Sequence, residues 1–205
     1  MEKGVKIDIE RLAYSDCHKL LGNLVVPRPI FLVSSISKNG NYNLAPYSLS
    51  NIICYRPAMV FLTPMRKNKG EKKDTLVNIE QTQEFVINMV TEDMAPQMTI
   101  ASQFYPPEID EFKESGLTPI PSDLVKPPRV AESPFNLECR LTQIIPLGSP
   151  EKPTADMILG VILRIHVADK FYNSGAVDVP SAHLIGRMGL GFYTRTRDLF
   201  KMGEH

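Results

Sequence analysis

The 205-residue chain has no tryptophan, three cysteines, four histidines, and no surplus of either charge, with 23 basic and 23 acidic side chains. That balance excludes an overall field able to gather nucleic acid or an anionic membrane, so a small-molecule partner is expected. Cys17, Cys54 and Cys139 lie far apart and form no Cys-x-x-Cys pair. With no paired-histidine spacing either, no metal site is expected, and the thiols read as those of a reduced, cytoplasmic protein. Cys54 and Cys139 have no companion that would lower a thiol pKa, so both are expected as buried small hydrophobes. No apolar run reaches signal-peptide or membrane-helix length, including the opening Met1-Glu2-Lys3-Gly4-Val5, so neither export nor a membrane span is expected. His18, His166, His183 and His205 stand singly, and a lone histidine is more often structural than a proton carrier.

The length suits one large, mainly β domain over residues 1–205. Ser15 to Leu21, stopped at Gly22, predicts a helix of one or two turns. Ile30 to Ser37, the Asn39-Gly40 turn and Asn43 to Ser48 predict a hairpin. Ala58 to Thr63 and Glu84 to Val90 read as further strands, with a helix between them opening at Asp74 or Thr75. A second helix is expected from Glu92 or Asp93 through Ala101, ending before Pro106-Pro107. From Pro106 to Pro134 the prolines at 107, 119, 121, 127 and 128 predict a surface excursion ordered by packing. Leu137–Ile145 and Met157–Val167 predict two longer strands, the second with Val161, Leu163, Ile165 and Val167 on one face and Ile162, Arg164 and His166 on the other. His183 to Tyr193 predicts a closing strand punctuated by glycines. Many short strands and few helices indicate a β-barrel with Greek-key character.

Asn43-Leu44-Ala45-Pro46-Tyr47-Ser48 is the most informative stretch, with Asn51 three residues on. A strand that only filled a core would alternate apolar and polar positions. Pro46 instead removes a backbone donor and frees neighbouring N–H and C=O groups to face a ligand edge. Ala45, Tyr47 and Ser48 then suit the rim of a flat, polar heterocycle, and Asn51 offers an amide that donates and accepts. An ordinary polar turn fits the same residues. Lys67, Lys69, Lys72 and Lys73 form the one dense basic run, a solvated loop or a phosphate site. Lys73 followed by Asp74-Thr75 at a helix start joins a cation, a hydroxyl and free N–H groups, a favourable anion site.

Together with Pro27-Arg28-Pro29-Ile30, Asn78-Ile79, Glu84-Phe85-Val86 with Asn88, and Pro128 to Pro134 with Glu138-Cys139, these blocks resemble the flavin reductase-like family, in its flavoredoxin-like branch. The resemblance runs from about residue 20 to residue 193. It implies an FMN-binding split β-barrel with a few peripheral helices, working as a homodimer with FMN near the interface. It implies an oxidoreductase that passes reducing equivalents from NADH or NADPH to flavin or another acceptor. A flavoredoxin-like electron carrier with little NAD(P)H oxidation, or a non-catalytic flavin-binding barrel, remains open, since there is no Rossmann glycine fingerprint to separate them. The cofactor-holding residues implied are Ser34, Ser35, Asn43, Ala45, Pro46, Tyr47, Ser48, Asn51, Lys73, Asp74, Thr75, Gln103, Arg187 and Tyr193. His183 is implied beside the nicotinamide. Hydride transfer to a flavin needs ring stacking and charge stabilisation rather than a general acid or base, so no catalytic side chain is named.

Overall fold

The structure, a computed structural model, describes residues 4–203. Met1, Glu2, Lys3, Glu204 and His205 lie outside the described residues, and so do the His205 reading and both ends of the 1–205 domain.

Helix α1 (Tyr14–Leu24) leads into strands β1 (Phe31–Ile36), β2 (Tyr42–Tyr47), β3 (Ser50–Tyr55) and β4 (Ala58–Leu62). Helix α2 (Asp74–Thr82), β5 (Glu84–Met89), α3 (Ala95–Ala101) and α4 (Glu111–Ser115) follow, then the two-residue strands β6 (Pro119–Ile120) and β7 (Arg129–Val130). The long strands β8 (Phe135–Ser149) and β9 (Lys152–Val167) form a hairpin. Two short ribbons close the chain: β10 (Tyr172–Asn173) with β11 (Ala176–Val177), and β12 (Ile185–Arg187) with β13 (Tyr193–Arg195).

Seven strands make one antiparallel sheet in the order β2-β1-β5-β8-β9-β4-β3. Its two edges, β2 and β3, are consecutive in the chain, with only Ser48 and Leu49 between them. The sheet therefore curls until its edges meet at one corner without pairing along their length, which leaves a split in the barrel. The jumps from β1 to β5, β5 to β8 and β9 to β4 give it the expected Greek-key character.

Strand β1 is apolar on both faces because both faces are covered. Phe31 and Val33 enter an inner core with Val60, Leu62, Ile79, Phe85 and Ile158. Ile30 and Leu32 enter an outer core with Met94, Met98, Phe112 and Ile185. Gly160 on β9 lets the Phe85 ring lie against the sheet; a Cβ at that position would stand 2.4 Å from the ring.

Several expectations need correction. Gly22 does not stop α1, which runs to Leu24 and reaches about three turns. The sequence places only Asn51 here, beside the cradle, and predicts no strand; Ser50–Tyr55 forms β3 and pairs with β4 across a bulge at Ile52/Cys54. Helix α3 opens at Ala95, with Pro96 in its first turn, rather than at Glu92 or Asp93. The proline-rich excursion contains α4, whose Phe112 is buried in the outer core. Strands β8 and β9 extend far beyond Ile145 and Met157, since Pro146 and Pro153 are absorbed at the outer hairpin end. Register shifts in β8–β9 also break the simple face pattern, so Ile162 packs on the inner core while Ile165 is 59% exposed. His183 to Tyr193 is no single strand, because positive φ at Leu190 and Gly191 turns the chain between β12 and β13. Cys139 is buried as expected, and burial pushes its thiol pKa well up. Cys54 is only half-buried, with its thiol directed to the Arg56 carbonyl at 3.3 Å.

Candidate functional site

Beside the split, β2 and the N-terminus of α2 border a small cavity of about 60 Å³. A wider cavity of about 220 Å³ adjoins it, and Pro46, Tyr47 and Ser102 line both. The result is one groove with two ends.

The narrow end collects Asn43, Ala45, Lys73, Asp74, Thr75 and Gln103. Helix α2 begins at Asp74, and the amides of its first turn have no acceptor within the helix. Lys73 sits at the N-cap position with its ammonium 5.5 Å from the Phe104 ring centroid. Burial and the nearby Lys67 lower its pKa, against the attraction of Asp74. Lys67 is paired to the Asp74 carboxylate at 2.9 Å. This end therefore offers cations and oriented N–H groups, donors of the kind an anionic group requires.

A buried polar net fixes that geometry from behind. The Tyr47 hydroxyl donates to Thr75 Oγ1 at 2.9 Å, and the Thr75 hydroxyl donates to Asn43 Oδ1 at 2.7 Å. Burial raises the Tyr47 pKa, so the phenol stays neutral. Glu111 on α4 accepts from Asn43 Nδ2 at 2.8 Å and from the Leu44 amide at 3.1 Å. Burial also raises the Glu111 pKa, against these hydrogen bonds.

The wide end is bordered by Pro46, Tyr47 and Ser48 on one side and by Arg187 and Tyr193 on the other, with Met98, Thr99 and Ser102 of α3 and its C-cap as a wall. The Arg187 guanidinium lies 4.6 Å from the Tyr193 ring centroid. Beneath it, Arg28 pairs its backbone with Arg187 and donates to the Gly22 and Val25 carbonyls at the end of α1, at 2.8 and 2.7 Å. A cation there complements the helix C-terminus.

The structure thus gathers eleven of the fourteen cofactor-holding candidates: Asn43, Ala45, Pro46, Tyr47, Ser48, Lys73, Asp74, Thr75, Gln103, Arg187 and Tyr193. Ser34 and Ser35 do not line the groove. Both are 0% exposed, with Ser34 donating to the Pro128 carbonyl and Ser35 to Asn43 Oδ1. Asn51 lies on the exposed side of β3, where its own amide oxygen accepts from the Ile52 N–H. His183 borders a different cleft. Sequence reasoning missed Glu111, Phe104 and Ser102; Phe104 and Ser102 flank Gln103, whereas Glu111 carries no local signal. A cluster of Asp123, Glu138 and His166 is the one potential metal group among the described residues. Its Glu138 carboxylate already accepts from the Asp123 and Leu124 amides and faces His166 Nε2 at 2.5 Å, while Arg164 pairs with Asp123. It clamps the proline-rich segment to the sheet.

Comparison with known proteins supplies the next observation: the family model described as "Flavin reductase like domain" matches residues 22–182. The chain belongs to the flavin reductase-like family. An uncharacterised protein of Halalkalibacterium halodurans is 32% identical over 97% of this chain and 95% of that one. The crystal structure of nitrilotriacetate monooxygenase component B from Bacillus cereus superposes with a TM-score of 0.95 at 31% identity, covering 98% of this chain and 100% of the other. A flavin-reductase structure described as having a split barrel domain, from Shewanella frigidimarina, shares the fold at TM-score 0.84 and 22% identity, covering 98% and 100%. The family name and the groove agree on a flavin.

Proposed function

We propose that the protein is an FMN-dependent oxidoreductase that takes reducing equivalents from NADH or NADPH and passes them to free flavin or another acceptor. The observation that carries this reading is the placement of Tyr47 in both halves of one groove, with the ring-sized cavity on one side and the cationic start of α2 on the other. The narrow end suits a single phosphate group, since the cationic start of α2 closes it. A bound flavin supplies two-electron transfer between a nicotinamide donor and an acceptor.

The protein's own part is to hold and orient. Lys73 and the first-turn amides of α2 fix the phosphate. Backbone groups of Ala45, Tyr47 and Ser48 face the pyrimidine edge, because Pro46 keeps this part of β2 from serving as an ordinary pairing edge. Arg187 stands where positive charge stabilises a flavin that has gained electrons. Ser35 acts through the buried net, by its bond to Asn43, and Ser34 holds the Pro128 carbonyl.

The same reading includes a homodimer in a reduced cytoplasm. Strand β3 is an open sheet edge, and Ile52, Ile53 and Tyr55 on it are exposed, as are Leu21, Leu24 and Val25 on α1. An apolar edge of this kind is normally covered. The cavity beneath α1 shares Ser48 with the ring end of the groove, so a second copy seated here would border the flavin.

The test is the visible spectrum of the purified protein before and after anaerobic addition of NADH or NADPH. Rapid bleaching of a bound flavin supports the reductase. A flavin that stays oxidised indicates an electron carrier, and a protein that binds no FMN overturns both readings.

A further inference from the structure

Two lysines line the narrow end of the groove, Lys67 and Lys73, and their surroundings differ. Lys67 is spent on Asp74, whose two carboxylate oxygens it meets at 2.9 and 3.2 Å. Glu111, the other carboxyl bordering this end, is engaged with Asn43 and the Leu44 amide. Among the described residues the Lys73 ammonium makes no hydrogen bond and no ion pair; it lies over the Phe104 ring, 5.5 Å from the centroid. One positive charge at this end is therefore left without a carboxylate, on a side chain that Lys67 repels more than Asp74 attracts.

The kind of partner matters. A carboxylate would cancel the charge and occupy the N–H donors, whereas the negative face of an aromatic ring holds a cation without doing either. A ring that orders the lysine stem beforehand also lowers the rotamer entropy a ligand would otherwise have to overcome. Phe104 is placed by the end of α3. Met98 and Ala101 bury that helix in the outer core, Ser102 is its C-cap, and the Gln103 amide donates back to the Ile100 carbonyl at 3.1 Å. The ring itself is 83% exposed, so it belongs to no core.

We propose that Phe104 is a positioning residue for the flavin phosphate: its ring holds the Lys73 ammonium beside the start of α2 with charge and donors unspent, and so sharpens the groove's preference for a phosphorylated flavin. The proposal rests on the flavin reading above and names a side chain on which that selectivity depends. With a phosphate in place, the ammonium keeps the ring on one side and donates to the anion on the other. Phe104 acts on the phosphate only through Lys73. It takes no part in holding the flavin ring, since it borders the narrow end and not the wide one.

The experiment is a fluorescence titration of the full chain, freed of flavin, with FMN and with riboflavin, for the wild type, Phe104→Ala, Phe104→Leu, Phe104→Tyr, Lys73→Ala and the double variant of Phe104→Ala with Lys73→Ala. Because the ring is exposed, none of the Phe104 changes removes core packing. An exposed cation–π contact corresponds to about two- to fivefold in a binding constant. FMN should therefore bind Phe104→Ala and Phe104→Leu more weakly by that factor and bind Phe104→Tyr as it binds the wild type, while riboflavin affinity is the same in all. In the Lys73→Ala background the loss of Phe104 should have no further effect on FMN. Unchanged FMN affinity in Phe104→Ala, wild-type affinity in Phe104→Leu, an equal loss for FMN and riboflavin, or a further loss in the double variant each overturns the role of Phe104 and leaves the flavin reading standing. A wild-type protein that binds neither flavin overturns both.

Discussion

The Asn43 side chain is tied to Glu111 at 2.8 Å, across 68 positions of sequence, so the strand that lines the flavin groove is held by a helix of the proline-rich excursion. Both partners are buried, and the same carboxylate also satisfies the Leu44 amide. Asn43 in turn accepts from Thr75 at the start of α2, which ties β2, α2 and α4 together at the narrow end through three side chains.

Glu111→Ala leaves the Leu44 amide and the Asn43 amide nitrogen without their acceptor, so urea unfolding should show a loss of about 2–3 kcal/mol. Glu111→Gln should lose less. Because burial raises the carboxyl pKa in the folded protein, the contribution from this group is full below its unfolded pKa and declines as pH rises through the folded one. The stability of the wild type relative to Glu111→Gln should therefore fall as pH rises above the unfolded glutamate pKa of about 4.3; a difference independent of pH would remove the buried carboxylate from the account.

Lys73→Ala should weaken FMN binding by about 1.5–3 kcal/mol through loss of a charge-assisted phosphate contact. Riboflavin, which lacks the phosphate, serves as the control. Fluorescence titration should show riboflavin affinity nearly unchanged, and an equal loss for both ligands would move the phosphate elsewhere.

Ile53→Glu combined with Tyr55→Glu places two charges on the exposed β3 edge. Sedimentation should shift from dimer to monomer with the fold intact by circular dichroism, and FMN affinity should drop if the partner borders the groove. A wild-type protein that sediments as a monomer would dispose of this interface.

Gly160→Ala inserts a methyl 2.4 Å from the Phe85 ring in a core with no slack. A destabilisation of about 1–3 kcal/mol is expected from overpacking, read as a lower midpoint in chemical denaturation. An unchanged midpoint would mean the Phe85 ring shifts freely.

Local sequence was a good guide where one segment carries its own reason. The apolar run of β1, the Asn39-Gly40 turn, the start of α2 beside Lys73 and the proline within β2 are all legible from neighbours in the chain, because turn chemistry, capping and hydrophobic runs act over a few residues. Strand β3 escaped because Ile52, Ile53 and Tyr55 are apolar yet exposed, which hides the alternation expected of a one-sided strand. Helix α4 escaped because five residues between prolines give no periodicity to read.

By itself the sequence determined which residues are proposed to hold a flavin: the amide, hydroxyl and proline of β2, and the lysine before α2. Tertiary structure alone decided which of them meet. Ser34 and Ser35 have suitable hydroxyls, yet β1 is covered on both faces, so Ser34 donates to the Pro128 carbonyl on one side and Ser35 to Asn43 Oδ1 on the other. Glu111 has no nearby motif, yet the packing of α4 against β2 puts its carboxylate under Asn43. Such placements depend on contacts between segments tens of residues apart, and no local pattern encodes them.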